Sequence, residues 1–587
     1  IKLRVKGDRL IHWKDKNETS YKIDIRGDDR VWGLEEFSIQ KPITRNYIYE
    51  SIFHKLLQTS GLISLKYFFI NFSLNDNDQG IYAVEEGFSK ELIERNKKRN
   101  GPIFGLNENY DAFNLVYPNV EYDLYSEKYW TINHPELTQI AISKLNKLKE
   151  KKINIDDVFD MQKWATFFAI IDLSSAYHGS LAKSVKLYYN PVTAKFEPIG
   201  FDGHYNSNLF KDFLILDFID QENTNCSYIC EFRDWYLIFL KNKDGSENIE
   251  FVNIYLEALQ KVSSQKFLNK FNENHLEEIN FDNSQLLSDV NKKDRNFYKG
   301  LGLYILDKSF LTERSQYINN RLKKIKDIKK IKKYTLENTD KPLDILKNEN
   351  IQFKDEEFYL TEDLIIKKDY YLNKGNKLNI NKGVRLIFQN DVSIISEGSI
   401  FFNGTKDDPI RVFSEENKGS LIFYDNIYNF KNVKFENLSF PKNNNKILYS
   451  GINIINSEVT IINTEIKNSI SEDGINIISS NSYIKNLDII NSSADAIDID
   501  FGKVVFENIT CQNISNDCLD VSGAIVEGKE FSAIDIADKG LSFGENSNGN
   551  ITNSSFFNNK LAIAVKDGTQ LHLSKFNFKK NKYDIAV

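Results

Sequence analysis

The chain has 587 residues, 41% of them hydrophobic and 13% aromatic, with 76 Lys and Arg against 83 Asp and Glu for a formal charge of −7. That apolar content excludes wholesale disorder, the mild acidity leaves no basic footprint for nucleic acid, and no apolar run approaches the 18 residues of a membrane-spanning helix. The length exceeds what one core supports and predicts several domains or a domain with a repeat array. The four cysteines form no CxxC pair, Cys226 and Cys230 lying four apart and Cys511 and Cys518 seven apart, so neither a metal cluster nor a disulfide framework is indicated. The chain starts at Ile1 and has a single methionine, Met161, so it reads as a fragment whose leader or anchor would lie upstream.

In chain order, residues 1–206 mix short strands with amphipathic helices. SYKIDI (Ser20 to Ile25) alternates at period two and reads as a strand, whereas Asn46 to Leu57 carries Ile48, Ile52, Phe53, Leu56 and Leu57 as a helical stripe. KYFFINFSL (Lys66 to Leu74) and GIYAVEE (Gly80 to Glu86) flank Asn-Asp-Asn-Asp-Gln as a hairpin, and Gly87 to Asn96 turns helical. A mixed sheet with packed helices follows, an α+β domain. Residues 207–335 carry helical patterns at Trp235 to Phe239, Glu250 to Phe267, Gln285 to Leu306 and Arg314 to Ile331, the last running into a basic stretch, Arg321 to Lys333, that reads as a solvated helix face, with contact to an anionic partner as the alternative. Residues 336–354 read as a linker.

From 355 to 587 Asn, Ile, Ser and Asp dominate, and a fixed register emerges. GINI at Gly474, AIDI at Ala496, CLDV at Cys518, GLSF at Gly540, AIAV at Ala562 and DIAV at Asp584 are each 22 residues apart. Short β-branched runs with Asn and Gly turns at that period predict a β-solenoid in which each coil buries its apolar face on the next, with exposed Asn stacked in ladders. The register makes columns: Asp473, Asp495 and Asp517, then Lys539; and Asn476, Asp498, Asp520 and Ser542. Stacked strands lie about 4.8 Å apart, so these carboxylates must be solvated, partly protonated or cation-bound. No Arg or Lys is read between the columns, which favours a solvated or glycan- and cation-binding surface over a hydrolase or lyase centre. The Asn-x-Ser/Thr matches at Asn17, Asn71, Asn437, Asn508 and Asn513 are of the kind an Asn-rich chain produces by chance.

Candidate chemistry in the first half centres on Asp172 to Asn206. KLYYN (Lys186 to Asn190), a Pro191 turn and KFEPIGF lead into Asp202-Gly203-His204, placing a carboxylate at the end of an apolar strand. A strand-end Asp-Gly beside Asp172, His178 and Ser184 is an arrangement that presents a metal–phosphate site; the ordinary alternative is an Asp capping a hairpin turn.

RVKGDRLIHW (Arg4 to Trp13), SYKIDIRGD (Ser20 to Asp28), FSIQKPITRNYIYESIFHKLL (Phe37 to Leu57), LNDNDQGIYAVEEGFSKELIERN (Leu74 to Asn96) and KLYYNPVTAKFEPIGFDGH (Lys186 to His204), in that order, resemble the CotH kinase family, the spore-coat-protein-H-like atypical protein kinases. The resemblance covers about residues 1–330. It implies a divergent kinase-like core over 1–206, a helical lobe over 207–335, and transfer of the ATP γ-phosphoryl group with Mg²⁺ to Ser or Thr of a protein. By the same resemblance Asp202 would hold the metal, Lys22 (or Arg26) would be the phosphate-binding cation, Glu50 would orient it, Arg45 would reach a phosphate, and Glu86 would be an acid near the nucleotide. Family members carry a catalytic-loop Asp followed six residues later by Asn; this chain has His178 and Ser184, or Asp172 after a local shift, so His178 or Asp172 would be the base and Ser184 a metal ligand. The coils ADAIDIDFG, NDCLDVSG and DKGLSFGE resemble right-handed parallel β-helices of the pectate-lyase-like superfamily, whose roles are diverse.

The expectation is therefore an extracytoplasmic, surface or secreted protein, with a CotH-like kinase on a β-helix that serves as stalk or glycan-binding platform. Its partners would be a protein phosphoacceptor and a cell-surface polysaccharide. An inactive kinase fold in an adhesion protein is the alternative, and a polysaccharide lyase or hydrolase using Asp473, Asp495, Asp498, Asp517 and Asp520 is the second.

Overall fold

The computed structural model describes residues 1–7, 12, 19–27, 29–106, 122–150, 152–203, 212–219, 233–289, 310–325, 343–442 and 446–587. The chain divides into two units, one of Ile1–Asn96 with Asn100–Tyr334 and one of Lys97–Arg99 with Thr335–Val587. The first is mixed α/β and the second is a β-solenoid.

The first unit opens with an antiparallel sheet in the order β1 (Lys2–Val5), β2 (Tyr21–Asp24), β3 (Glu36–Gln40), β5 (Asn77–Glu86), β4 (Tyr67–Leu74). Strand alternation sends Phe37, Ile39, Tyr82 and Val84 into one apolar layer, while Ser38, Gln40, Ala83 and Glu85 share the other face. Helix α1 (Tyr49–Thr59) follows β3, and α2 (Lys90–Arg95) follows β5. A second sheet, in the order β7 (Tyr122–Leu124), β6 (Ile103–Leu106), β8 (Lys186–Asn190), β9 (Lys195–Ile199), carries the hairpin that ends at Asp202. Helices α3 (Glu127–Asn133), α4 (Pro135–Lys149), α5 (Met161–Ser174), α6 (Arg233–Leu240), α7 (Ile249–Val262), α8 (Gln265–Asp289) and α9 (Phe310–Lys324) make up the rest. Helix α5 is apolar on nearly every side from Trp164 to Leu173 and is the buried centre on which α1, α7 and α9 pack.

The helix expected from Glu250 to Phe267 is two, broken at Ser263-Ser264, where the Ser263 hydroxyl folds back onto the Leu259 carbonyl. Much of the helical stretch expected from Gln285 to Leu306, most of the basic run from Arg321 to Lys333, and the pair Cys226 and Cys230 lie outside the described residues.

The solenoid has about 10 turns of about 22 residues. Its register pairs Asp473 with Asp495, Asn476 with Asp498, Asp498 with Asp520 and Asp520 with Ser542, all parallel. Ile452, Ile475, Ile497, Leu519, Leu541 and Ile563 stack as one buried column inside the coil, each fully buried side chain contributing about 1.5–3 kcal/mol. Leu343–Asp344 and Ile351–Lys354, within the stretch read as linker, already pair in the solenoid sheets.

Corners are made by asparagine. The long strands Glu458–Ser469, Asn481–Ser492 and Lys503–Ile514 each bend at two Asn residues in the left-handed region, for example Asn486 (φ 55°) and Asn491 (φ 62°), which Asn adopts more readily than most residues. Their amides stack: Asn508 donates to Asn486 at 3.1 Å and Asn486 to Asn463 at 2.8 Å, while Asn513 donates to Asn491 at 2.7 Å and Asn491 to Asn468 at 2.9 Å. The amide nitrogens of Asn508 and Asn513, two of the Asn-x-Ser/Thr matches, are thereby hydrogen-bonded within the ladders.

The spacing left the cysteine pairing open; in the structure Cys511 and Cys518 form a buried disulfide within one coil. Seven-residue spacing carried no signal in the sequence because the turn that brings the two sulfurs together belongs to the coil geometry.

Candidate functional site

Asp202 leaves β9 with φ 59°, a left-handed conformation that Asp tolerates. Glycines allow its surroundings to close in. A Cβ on Gly203 would lie 2.3 Å from the Phe53 ring, and one on Gly179 would lie 2.7 Å from Gly203 Cα. The loop after α5 therefore packs directly on the Asp202 turn. It brings His178, whose Nδ1 lies 3.0 Å from the Asp202 carbonyl oxygen and 3.3 Å from Oδ2, with Ser184 Oγ 3.4 Å from the same nitrogen.

From the first sheet comes Arg45, at the end of the turn Pro42–Arg45, with Nη1 2.9 Å from Asp202 Oδ1 and Nε 3.4 Å from Glu85 Oε2. Glu85, on β5, also accepts from Gln40 Nε2 at 3.1 Å and pairs with the Lys6 ammonium. Burial works against ionising Glu85, yet Lys6 and Arg45 hold its carboxyl below the usual range. Burial also works against the Arg45 charge, but Asp202, Glu85 and Glu50 outweigh it and its pKa rises. For Lys6 burial prevails over Glu85, and its ammonium pKa falls. The ammonium nitrogens of Lys6 and Lys186 and the Arg45 guanidinium lie 6.0, 5.3 and 5.4 Å from the centre of the Phe201 ring. An ion-pair cluster with three cations near one aromatic ring is the result.

The remaining sequence-derived candidates sit elsewhere. Glu86, one residue from Glu85, points from the other side of its strand to Arg95 and the Lys66 amide. Lys22 pairs with Glu36, and Arg26 is exposed. Glu50 is fully buried on α1, with His54 Nε2 3.2 Å from Oε1. Asp172 is the hub of the helical region: its carboxylate accepts from Tyr177 Oη at 2.8 Å, from the Ile215 amide at 3.1 Å and from Tyr255. Arg314 caps its carbonyl oxygen through Nε at 3.0 Å and Nη2 at 2.7 Å. Burial pushes the Asp172 carboxyl up to about 7, against those hydrogen bonds. Lys6 and Glu85 were not singled out in the sequence; Lys6 lies inside the RVKGDRLIHW stretch, and Glu85 differs from Glu86 only by strand parity.

Among the described residues no group of three His, Cys, Asp or Glu is arranged to hold a metal ion. Mg²⁺ needs less, since it is commonly held by one or two carboxylates together with substrate phosphates. Lys6, Arg45 and Lys186 suit phosphate oxygens, and Asp202 offers one carboxylate, whose position beside Arg45 is the point of conflict.

In the solenoid unit the aspartate columns are closely packed. Asn476 Nδ2 donates to Asp473 at 3.3 Å and also to Asp498, and the Asp517 amide donates to Asp495 at 2.7 Å. The sequence expectation of no Arg or Lys between these columns is corrected by Arg99, in the same unit, which donates to Asp498 and Asp500 at 2.7 Å each; Lys539, next in the first column, reaches Asp517 at 3.1 Å. Local alternation could not place Arg99, which is 399 positions from Asp498. Burial first and neighbouring carboxylates second push Asp473 up to about 8, with Arg99 opposing; burial lifts Asp495 to about 7. Asp498, Asp517 and Asp520 are shifted the same way, burial being the main cause in each.

No family model matches the chain, and no curated protein matches it. Among solved structures PfbA, a surface adhesin of Streptococcus pneumoniae, is similar at 12% identity over 39% of this chain and 85% of that one, with a TM-score of 0.16. At that level the likeness bears on neither fold nor function. No helix among the described residues is long and apolar enough to cross a membrane.

Proposed function

We propose that the first unit is a phosphoryl-transfer module of the CotH kinase type and that the solenoid is a surface platform that carries it. The reading rests on one observation: Arg45 and His178 meet the strand-end carboxylate of Asp202, and Glu85 and Lys6 join them through Arg45, so that four separate segments form one ion-pair cluster. Bound MgATP would supply the γ-phosphoryl group, which passes to a Ser or Thr hydroxyl as the bond to the β-phosphate breaks and ADP leaves. Lys6, Arg45 and Lys186 would bind and orient the phosphates, and Asp202 would face the positive charge. His178, its Nδ1 held against Asp202, would take the acceptor proton.

The buried Cys511–Cys518 bridge supports an extracytoplasmic location, because disulfides persist in oxidising compartments. The solenoid would then hold a protein phosphoacceptor or a polysaccharide near the module. A scaffold or adhesion role with an inactive kinase fold has its own support, since Arg45 takes up the Asp202 carboxylate. A polysaccharide-cleaving role for the solenoid would rest on a carboxyl whose pKa is pushed up to about 8, as that of Asp473 is, because a general acid needs a proton; cleavage unchanged in Asp498→Asn and Asp520→Asn would end it.

The deciding experiment is a thermal shift with MgATP. A rise in melting temperature that Asp202→Ala abolishes, followed by transfer of labelled phosphate to a protein acceptor, is the expected result. No shift and no transfer would leave the scaffold reading.

A further inference from the structure

The first sheet has an open edge. Among the described residues β1 (Lys2–Val5) pairs only with β2, and each of its residues is exposed. Two hydrogen bonds fix which of its backbone groups that pairing uses. Lys6 N–H donates to the Ser20 carbonyl at 2.8 Å on the β1 side of β2, and Ile25 N–H donates to the Glu35 carbonyl at 2.8 Å on the β3 side. By the alternation of an antiparallel ladder, Lys2 and Arg4 turn their amides and carbonyls to β2, whereas Leu3 and Val5 turn theirs outward. Those outward groups meet no strand among the described residues, and such a row is a template for one more strand.

The side chains sort by the same alternation. Leu3 and Val5 lie opposite Ile23 and Tyr21, at the rim of the apolar layer of Phe37, Ile39 and Val84, and are 54% and 57% exposed. Lys2 and Arg4 lie on the other face of the sheet, the one that carries Glu85. Neither makes an ion pair among the described residues, and Arg4 stands across from Lys22, which already pairs with Glu36. The strand therefore offers apolar side chains on one face and unneutralised cations on the other.

The charges decide the occupant. A second copy that added its own β1 in a register matching the apolar faces would set cations against cations, and like charges across a strand pair are unfavourable. A strand that alternates acidic and apolar residues meets opposite charge on one face and apolar contact on the other. We propose that the open edge of β1 takes an extended acidic segment of a partner protein as an added strand, and that this partner is the phosphoacceptor. The acceptor role rests on the phosphoryl-transfer reading; the docking does not. Position links the two: Lys6 directly follows β1 and pairs with Glu85, so alternate residues of the added strand lie on the sheet face that carries the ion-pair cluster.

The test uses the full chain and a fluorescein-labelled peptide of alternating Glu and Val, with one Glu replaced by Ser, read by anisotropy. Binding that weakens as salt rises is expected; no binding overturns the proposal. Leu3→Pro removes an outward N–H and none that pairs with β2, so it should weaken binding about tenfold at an unchanged melting temperature. Undiminished binding in that variant would overturn strand addition, as would equal binding of a peptide with the same residues in two blocks. Lys2→Glu combined with Arg4→Glu should lose the acidic peptide and take up a Lys and Val peptide instead. Self-association in ultracentrifugation that Leu3→Pro abolishes would assign the edge to a second copy and overturn the proposal. Labelled phosphate from MgATP should reach the peptide's Ser in wild type and fall in Leu3→Pro. Docking without any MgATP-dependent shift would remove the phosphoryl-transfer reading and the acceptor role while upholding strand addition. A MgATP-dependent shift without docking would remove this proposal alone.

Discussion

Both units gather carboxylates around an arginine, and they resolve the charge in opposite ways. Around Asp202, residues from β5, the Pro42–Arg45 turn and the segments after β1 and α5 supply cations and acids in near balance, so Glu85 stays ionised. In the solenoid, translation by one coil repeats the same residue type, so acids accumulate faster than Arg99 and Lys539 neutralise them and Asp473 and Asp495 hold protons instead. A fold assembled from unrelated segments can compose a mixed site; a repeat amplifies whatever its column carries.

That contrast can be broken or sharpened by substitution. The largest effect is expected from Arg314→Ala, which strips the donors from the Asp172 and Phe213 carbonyls in the helical region. Removing one partner of a buried charged network costs about 3–5 kcal/mol, so calorimetry should show the first unit melting far earlier while the solenoid transition stays in place. Gly203→Ala should cost about 1–3 kcal/mol by overpacking against Phe53, and it should abolish any MgATP-dependent shift because the Asp202 turn moves.

Protonation gives the next effect. The folded values of Asp473 (about 8), Asp495 (about 7) and Asp172 (about 7) lie above the unfolded value near 4. Between those limits the folded chain binds protons that the unfolded chain releases, so stability is full below about pH 4 for these groups and is lost as pH rises toward 8. Asp473→Asn should therefore leave the solenoid melting temperature nearly unchanged at pH 4 and raise its stability at pH 8 by several kcal/mol, at ~1.4 kcal/mol per pKa unit; a pH profile identical to wild type would refute the protonated ladder. The smallest effect is expected from Asn486→Ala, which removes one rung of an amide ladder and should cost about 1 kcal/mol, read as a small shift confined to the solenoid transition.

Legibility followed the range of the interactions. Lys186–Asn190, Lys195–Ile199 and the α1 stripe are visible because side-chain period is a local property, whereas the long apolar run of α5 has no polar face and gives no period to read. The Asp202 turn is visible for the same reason as its strand. Its partners are not: Glu85 and Glu86 are equivalent in the sequence and differ only in which face of β5 meets Arg45, and Asp172 gives no sign that two tyrosines and an arginine will enclose it.

The sequence by itself determined the 22-residue coil, its register and the Asn ladders, because a translational repeat converts sequence spacing directly into neighbours in space. Only the tertiary structure decided that Arg45 meets Asp202 and links it to Glu85 and Lys6, that Cys511 bonds Cys518, and that Arg99 lies among the aspartates. The ion pairs depend on segments far apart in sequence, and electrostatics acts on distance in space alone, whereas the disulfide depends on the turn of a single coil.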